Sequence, residues 1–264
     1  MVLELKKFDM NCINFERGAP VIFIIGRRDT GKSFLVRDIL HHNKDVPMST
    51  VVSGTESGDT FYANFVPKLC IQEQYNPDII ENVLRRQKAV LKQIKTETKD
   101  YSKSSSIDPR HVVILDNCFY DHLWVHNKMM KLMFMQGRCW KVMLVITMSY
   151  PLGIHPSIRT KIDYVFIFRE PSYSNRKRIY ENYAGVFPSF DSFNTIMDNT
   201  IENFECLVIN NKIDSTKLED KIFWYKAEQR PDFKLGGKEL WEISNGVGNS
   251  VSDNEGVVVS TTIA

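Results

Sequence analysis

The sequence holds no pair of cysteines close enough to act together. Its five, Cys12, Cys70, Cys118, Cys139 and Cys206, are odd in number and widely spaced, and no C-x-x-C occurs. That argues against a disulfide framework or a thiolate zinc site, and a reducing compartment is expected. Six histidines are scattered along the chain and offer neither a metal-hydrolase spacing nor a triad; His41-His42 reads as a solvated helix end. No apolar run approaches the ~18 residues of a membrane helix, and no secretory apolar segment opens the chain. A dominant charge is missing too. Lys and Arg number 34 against 32 Asp and Glu, a net charge of +2, so any basic surface for nucleic acid must be local. No internal repeat is present. What remains is 264 residues, 43% apolar and 25% charged, the make-up expected of an intracellular globular protein with one large α/β domain or one domain plus appendages.

Against this background one stretch stands out. Gly26-Arg27-Arg28-Asp29-Thr30-Gly31-Lys32-Ser33 matches G-x-x-x-x-G-K-[ST] without a mismatch. Val21-Ile22-Phe23-Ile24-Ile25 before it predicts a buried strand, and Phe34, Leu35, Val36, Ile39 and Leu40 after it recur at helical spacing. A chance match in a surface loop would lack that strand–loop–helix setting, in which the pattern holds phosphate. Glycine lets the backbone fold round a phosphate with no Cβ in the way. The loop N–H groups then converge on the anion, and the helix N-terminus adds partial positive charge. The expected nucleotide-binding set runs from Gly26 to Phe34. Lys32 is expected to reach the β- and γ-phosphates, and Ser33 to hold Mg²⁺ through its hydroxyl.

About 80 residues on, His111-Val112-Val113-Ile114-Leu115-Asp116 reads as a buried parallel strand presenting a carboxylate at its C-terminal edge. Asp116 there can organise Mg²⁺ and its waters, as a Walker B acid does. Thr50–Val52, Lys141–Thr147 and Asp163–Phe168 predict further strands, Phe204–Ile209 and Ile222–Tyr225 two late ones. Asn76-Pro77-Asp78 opens a long helix with a good N-cap. Its apolar stripe runs from Ile79 to Ile94, and its other face carries Arg85, Arg86, Lys88, Lys92, Lys95 and Lys99. That basic face is read either as a solvated helix side or as a contact for a phosphate backbone. Helices are also expected over 121–136, 172–184 and 189–200. Strands alternating with helices imply a mostly parallel α/β sheet. A single domain is expected over residues 1–235, and the Gly-, Ser- and Asn-rich residues 236–264 read as a flexible tail.

Three stretches together resemble one family: Gly26–Ser33, Ile114-Leu115-Asp116-Asn117-Cys118-Phe119-Tyr120-Asp121, and Ile146-Thr147-Met148-Ser149-Tyr150-Pro151-Leu152-Gly153-Ile154 continuing to Arg159-Thr160-Lys161-Ile162-Asp163-Tyr164-Val165-Phe166. They are similar to the genome-packaging ATPases of nucleocytoplasmic large DNA viruses, a branch of the FtsK–HerA superfamily of P-loop NTPases. Phe223-Trp224-Tyr225-Lys226-Ala227 resembles that family's closing segment, and the likeness covers roughly residues 10–235. It implies a RecA-like core in a homo-oligomeric ring, hexameric by preference, that uses ATP and Mg²⁺ to pull double-stranded DNA into a virion. It also implies work in the host cytoplasm at the virus factory or in association with the virion, with capsid or inner-membrane assembly proteins as partners. By position Arg159 stands where the family has an arginine finger entering a neighbouring subunit's site, and Arg169 is a second candidate.

Two positions depart from the family. A second acid usually follows the Walker B Asp and polarises the attacking water, but here the residue is Asn117. The polar sensor, commonly Gln, is Ser149. An amide cannot accept the water's proton at neutral pH, so the base is expected to be Asp121 or another carboxylate, or hydrolysis to be slow. A nucleotide-gated DNA-binding or assembly subunit with weak turnover is therefore an alternative. Asn211-Lys212-Ile213-Asp214 spells the guanine-reading N-K-x-D, but the D-x-x-G switch of GTPases is absent. A small-molecule kinase would need an arginine-rich lid, and no clear one is present.

Overall fold

The computed structural model describes residues 4–98, 104–119, 124, 127–152, 154–199 and 204–250. β1 (Lys6–Lys7) precedes β2 (Val21–Ile25), the strand before the glycine loop. Then come α1 (Lys32–His42), β3 (Met48–Ser53), the one-turn α2 (Glu56–Asp59), β4 (Ile71–Gln72) and the long α3 (Pro77–Glu97). The centre of the chain supplies β5 (His111–Asp116), α4 (Lys128–Gln136), β6 (Val142–Met148), the one-turn α5 (Pro156–Arg159) and β7 (Tyr164–Phe168). It closes with α6 (Tyr173–Tyr183), α7 (Phe190–Asn199), β8 (Glu205–Asn210), the one-turn α8 (Leu218–Lys221), β9 (Ile222–Lys226) and α9 (Lys238–Ser250).

The strands form one sheet in the order β1-β9-β8-β7-β2-β6-β5-β3-β4. Every residue of β2, β6 and β7 is buried, as unbroken apolar runs demand when helices cover both faces of a parallel sheet. Alternate residues of β2 serve opposite layers. Phe23 and Ile25 pack with Ile80 and Leu84 of α3, Met130 and Phe134 of α4 and Ile179 of α6. Ile22 and Ile24 pack with Leu35, Val36, Ile39 and Leu40 of α1 on the other side. The expected mostly parallel α/β sheet flanked by helices is present. β8 alone runs antiparallel, to both β7 and β9.

β2 lies between β6 and β7, and the chain leaves it for strands on one side before returning to the other. The crevice beyond its C-terminal end is therefore a topological switch point, where such sheets bind ligands. Register places the motifs there together. Ile25 is level with Met148 and Ile167, and Asp116 with Thr147.

Several local expectations need correction. The N-terminal lead-in contributes β1, which pairs with β9; a pair of exposed lysines carries no strand pattern. The expected tail is helical over Lys238–Ser250. Its Gly and Asn content disfavours helix, but the segment is anchored: Gly236 and Gly237 N–H donate to Val46 and Pro47 carbonyls, and Trp241 Nε1 to Leu235 O at 2.9 Å. Residues 251–264 lie outside the described residues. The helix expected over 121–136 is seen from Lys128, with most of 120–126 outside the described set. Helix α3 starts as read, with Asn76 Oδ1 accepting from Asp78 N at 3.0 Å. Its stripe is fully buried only at Ile80, Val83 and Leu84; Val90, Leu91 and Ile94 are half-buried.

Candidate nucleotide site

The glycine loop bridges β2 and α1, and its conformation is fixed from both ends. Gly26 N donates to Met148 O at 3.0 Å. A Cβ on Gly26 would fall 2.7 Å from Phe168 Cβ and from Thr30 Oγ1, so only glycine fits. Asp29 and Gly31 take φ of +62° and +101°, the left-handed turn that leads into α1 and that Gly31 adopts without strain. Thr30 Oγ1 and Lys32 Nζ both donate to Arg27 O at 2.8 Å. Lys32 thus lies folded over the loop, where burial lowers its pKa below the ordinary 10.5 while Asp116 and Asp29 pull it back up. Arg27, Arg28, Ser33 and Phe34 are exposed, and Ser33 stands on the first turn of α1. The loop is a positively charged, solvent-open cradle.

Across the crevice, Asp116 ends β5 half-buried. Tyr62 Oη donates to its Oδ2 at 2.8 Å and Thr147 Oγ1 to its Oδ1. Both donors are hydroxyl groups, and together they fix the orientation of the carboxylate. Tyr62 is itself held by Glu56, whose carboxylate accepts from Tyr62 N at 2.9 Å and Ala63 N at 2.6 Å. Burial and the neighbouring Asp116 raise the Tyr62 phenol well above its usual range, so it stays a donor. Sequence reasoning missed Tyr62 and Glu56, because residues 53–62 carry no periodic pattern. Thr147 was visible only as the polar end of an apolar strand.

Asn117 sits at φ +50° and straps β5 to β6. Its N–H donates to Thr147 Oγ1 at 3.0 Å, and its Oδ1 accepts from Ser149 N at 3.0 Å. The two departures from the family pattern are therefore bonded to each other. Asp121 lies outside the described residues.

Arg159 occupies a different setting from the one expected of a free finger. Its guanidinium donates to Glu181 O at 2.8 Å, Asn182 Oδ1 at 3.1 Å and Ile154 O at 3.4 Å, tying α5 to the C-terminal end of α6, where carbonyls lack helical partners. Arg169 is exposed directly after β7, beside the loop of its own chain. The N-K-x-D stretch is displaced altogether. Because β8 is antiparallel, Asn211 emerges at the opposite edge of the sheet, its N–H on Asp163 O at 2.8 Å and its amide on Ile162 O at 3.0 Å. It cannot read a base bound at Gly26–Ser33.

A lysine in a glycine loop facing an aspartate one strand removed, on a RecA-like sheet, defines a P-loop NTPase fold. Solved structures agree on that fold. The genome packaging NTPase of Sulfolobus turreted icosahedral virus 2, in complex with AMP, superposes with a TM-score of 0.53 at 14% identity over 80% of this chain and 98% of its own. The conjugation coupling protein TcpA of pCW3 gives 0.53 at 13% identity over 95% of this chain and 75% of its own. No protein-family model matches the chain.

Sequence relatives are more specific. An uncharacterized protein of Acanthamoeba polyphaga mimivirus is 34% identical over 238 residues, 90% of this chain and 81% of the relative. One of Invertebrate iridescent virus 3 is 36% identical over 243 residues, 89% of this chain and 88% of the relative. The chain belongs to this family of nucleocytoplasmic large DNA virus proteins, and its fold is that of a P-loop NTPase.

Proposed function

We propose that this protein is a Mg²⁺-dependent ATPase that drives viral double-stranded DNA into the virion, working as a homo-oligomeric ring, hexameric by preference, at the virus factory in the host cytoplasm. The observation that carries the reading is the meeting of the two motifs at the switch point, where Gly26 N donates to Met148 O at 3.0 Å and Asp116 is level with Thr147 on the same strand, β6. In this reading the loop N–H groups and Lys32 bind and orient the β- and γ-phosphates. Asp116, with both oxygens held by hydroxyl donors, is a positioned carboxylate available to a divalent cation's waters. Ser33 Oγ on α1 is the hydroxyl that would ligate Mg²⁺ beside the phosphates. Bound there, Mg²⁺ supplies charge neutralisation of the phosphate oxygens. Among the described residues no cluster of three or more His, Cys, Asp or Glu could hold a metal unaided, which suits a cation held chiefly by phosphate and water.

The DNA part of the reading rests on the family and on α3, where Lys88, Lys92 and Lys95 are exposed along one helix. Such a stripe suits a phosphate backbone and sequence-independent binding. The weaker reading, a nucleotide-gated assembly subunit, is favoured by one observation: Asn117 is committed to strapping β5 to β6. ATP binding and phosphate release by the wild type and Lys32→Ala separate the cases. The wild type should bind ATP with Mg²⁺ and release phosphate, and Lys32→Ala should lose both. Tight binding with no release at any protein concentration would leave the gated subunit standing; activity retained by Lys32→Ala would refute the site.

A further inference from the structure

The nucleotide edge of the sheet carries an aromatic side chain that neither the core nor the phosphate cradle uses. Phe204 immediately precedes β8. Since β8 runs antiparallel to β7, with Cys206 opposite Phe168, the start of β8 is the end that lies beside the glycine loop. Phe204 is 65% exposed, and its φ is +68°. A bulky residue in the left-handed region is strained, and at that exposure little burial compensates. The ring nevertheless has a definite place. A Cβ on Gly31 would meet Phe204 Cδ1 at 3.5 Å and Phe204 Cβ at 3.7 Å, while Phe168 Cε1 lies 3.5 Å from the same point. The loop thus has buried Phe168 and exposed Phe204 both against Gly31.

We propose that Phe204 is the stacking platform for the nucleobase of the bound nucleotide, an inference that rests on the nucleotide-site reading above. The cradle holds the phosphate end, and an exposed aromatic face beside Gly31 is suited to the flat apolar base that extends from it. An aromatic face accepts any base without reading its hydrogen-bonding edge. The one guanine-reading sequence in the chain, Asn211 to Asp214, starts at the far edge of the sheet. Base selectivity at this platform is accordingly weak, and ATP and GTP bind with similar affinity.

The test is the Kd of ATP, GTP and inorganic tripolyphosphate for the wild type, Phe204→Ala, Phe204→Trp and Phe204→Gly, with the Tm and oligomeric state of each unliganded protein. Phe204→Ala should weaken ATP and GTP alike, by about 5- to 150-fold, and leave tripolyphosphate unchanged; Phe204→Trp should keep wild-type affinity. Phe204→Gly should lose base affinity with a Tm equal to or above that of the wild type, because glycine adopts the left-handed φ freely. Unchanged ATP affinity in Phe204→Ala would overturn the platform, as would an equal loss of tripolyphosphate. So would a changed oligomeric state with intact affinity, which would assign the ring to a subunit contact. Failure of the wild type to bind either ATP or tripolyphosphate would instead refute the phosphate site itself.

Discussion

Asn117 concentrates the chemical question at the scale of single residues. It tolerates its left-handed φ better than most side chains do, and its amide holds Ser149 N–H while its own N–H holds Thr147. What it lacks is a basic lone pair for the proton of an attacking water. Asn117→Asp keeps an oxygen for Ser149 and adds the missing base. The kcat for phosphate release should rise about tenfold or more, and an unchanged kcat at unchanged ATP affinity would locate the base elsewhere. A second residue makes stability depend on pH. His111 is buried at the far edge of β5, its Nε2 2.9 Å from Thr50 Oγ1, and burial pushes its pKa down to about 3. In the unfolded chain it titrates near its ordinary value of 6.5. Between those values the unfolded state holds the extra proton, so stability falls as pH drops from about 6.5 towards 3, by up to about 1.4 kcal/mol per pH unit. His111→Gln should flatten that part of the profile in urea melts, and an unaltered slope would contradict the assignment.

At the scale of elements, the helix that carries Lys32 is clamped to the end of the sheet. Asp38, fully buried on α1, accepts from Tyr225 Oη at 2.6 Å, Glu228 N at 2.9 Å and Arg230 Nε at 2.6 Å. Asp38→Ala leaves Arg230 Nε, Glu228 N–H and the Tyr225 hydroxyl without this buried acceptor, and of its ion pairs Arg230 keeps only the outer one with Glu228 at 2.9 Å. A loss of about 3–5 kcal/mol in denaturant unfolding is expected, and a loss below about 1 kcal/mol would show that the clamp is slack. This contact also shows where sequence reading stops. β2, β5, β6 and β7 were legible because strands buried on both faces are written as continuous apolar runs. Asp38 looked like an ordinary polar residue on a helix, because its partner Tyr225 lies 187 residues away. β1 and β4, at two residues each, have no period to detect. The cradle residues and Asp116 were legible from motif and spacing. Tyr62 and Phe204 were not, since nothing local marks a tyrosine aimed at a distant aspartate or a strained phenylalanine beside a glycine loop. Antiparallel β8 was equally silent, although it decides which end of that strand meets the nucleotide.

For the whole molecule, the charge balance of +2 means that the proposed attraction to DNA would have to come from local surfaces such as α3. The antiparallel extension at β8 and β9 leaves the nucleotide edge bordered by exposed side chains, Arg169 and Phe204 among them. Arg159 is bonded within its own chain, so a trans arginine would have to be released from α6 on assembly or be supplied by Arg169. In the proposed ring, either route would make hydrolysis depend on contact between copies. The most direct measurement is therefore the rate of phosphate release per subunit, with Mg²⁺ and ATP, across protein concentration and with or without double-stranded DNA of unrelated sequences. The account predicts a specific rate that rises with protein concentration and rises again on adding DNA of any sequence. A rate per subunit that stays flat with concentration and ignores DNA would contradict it.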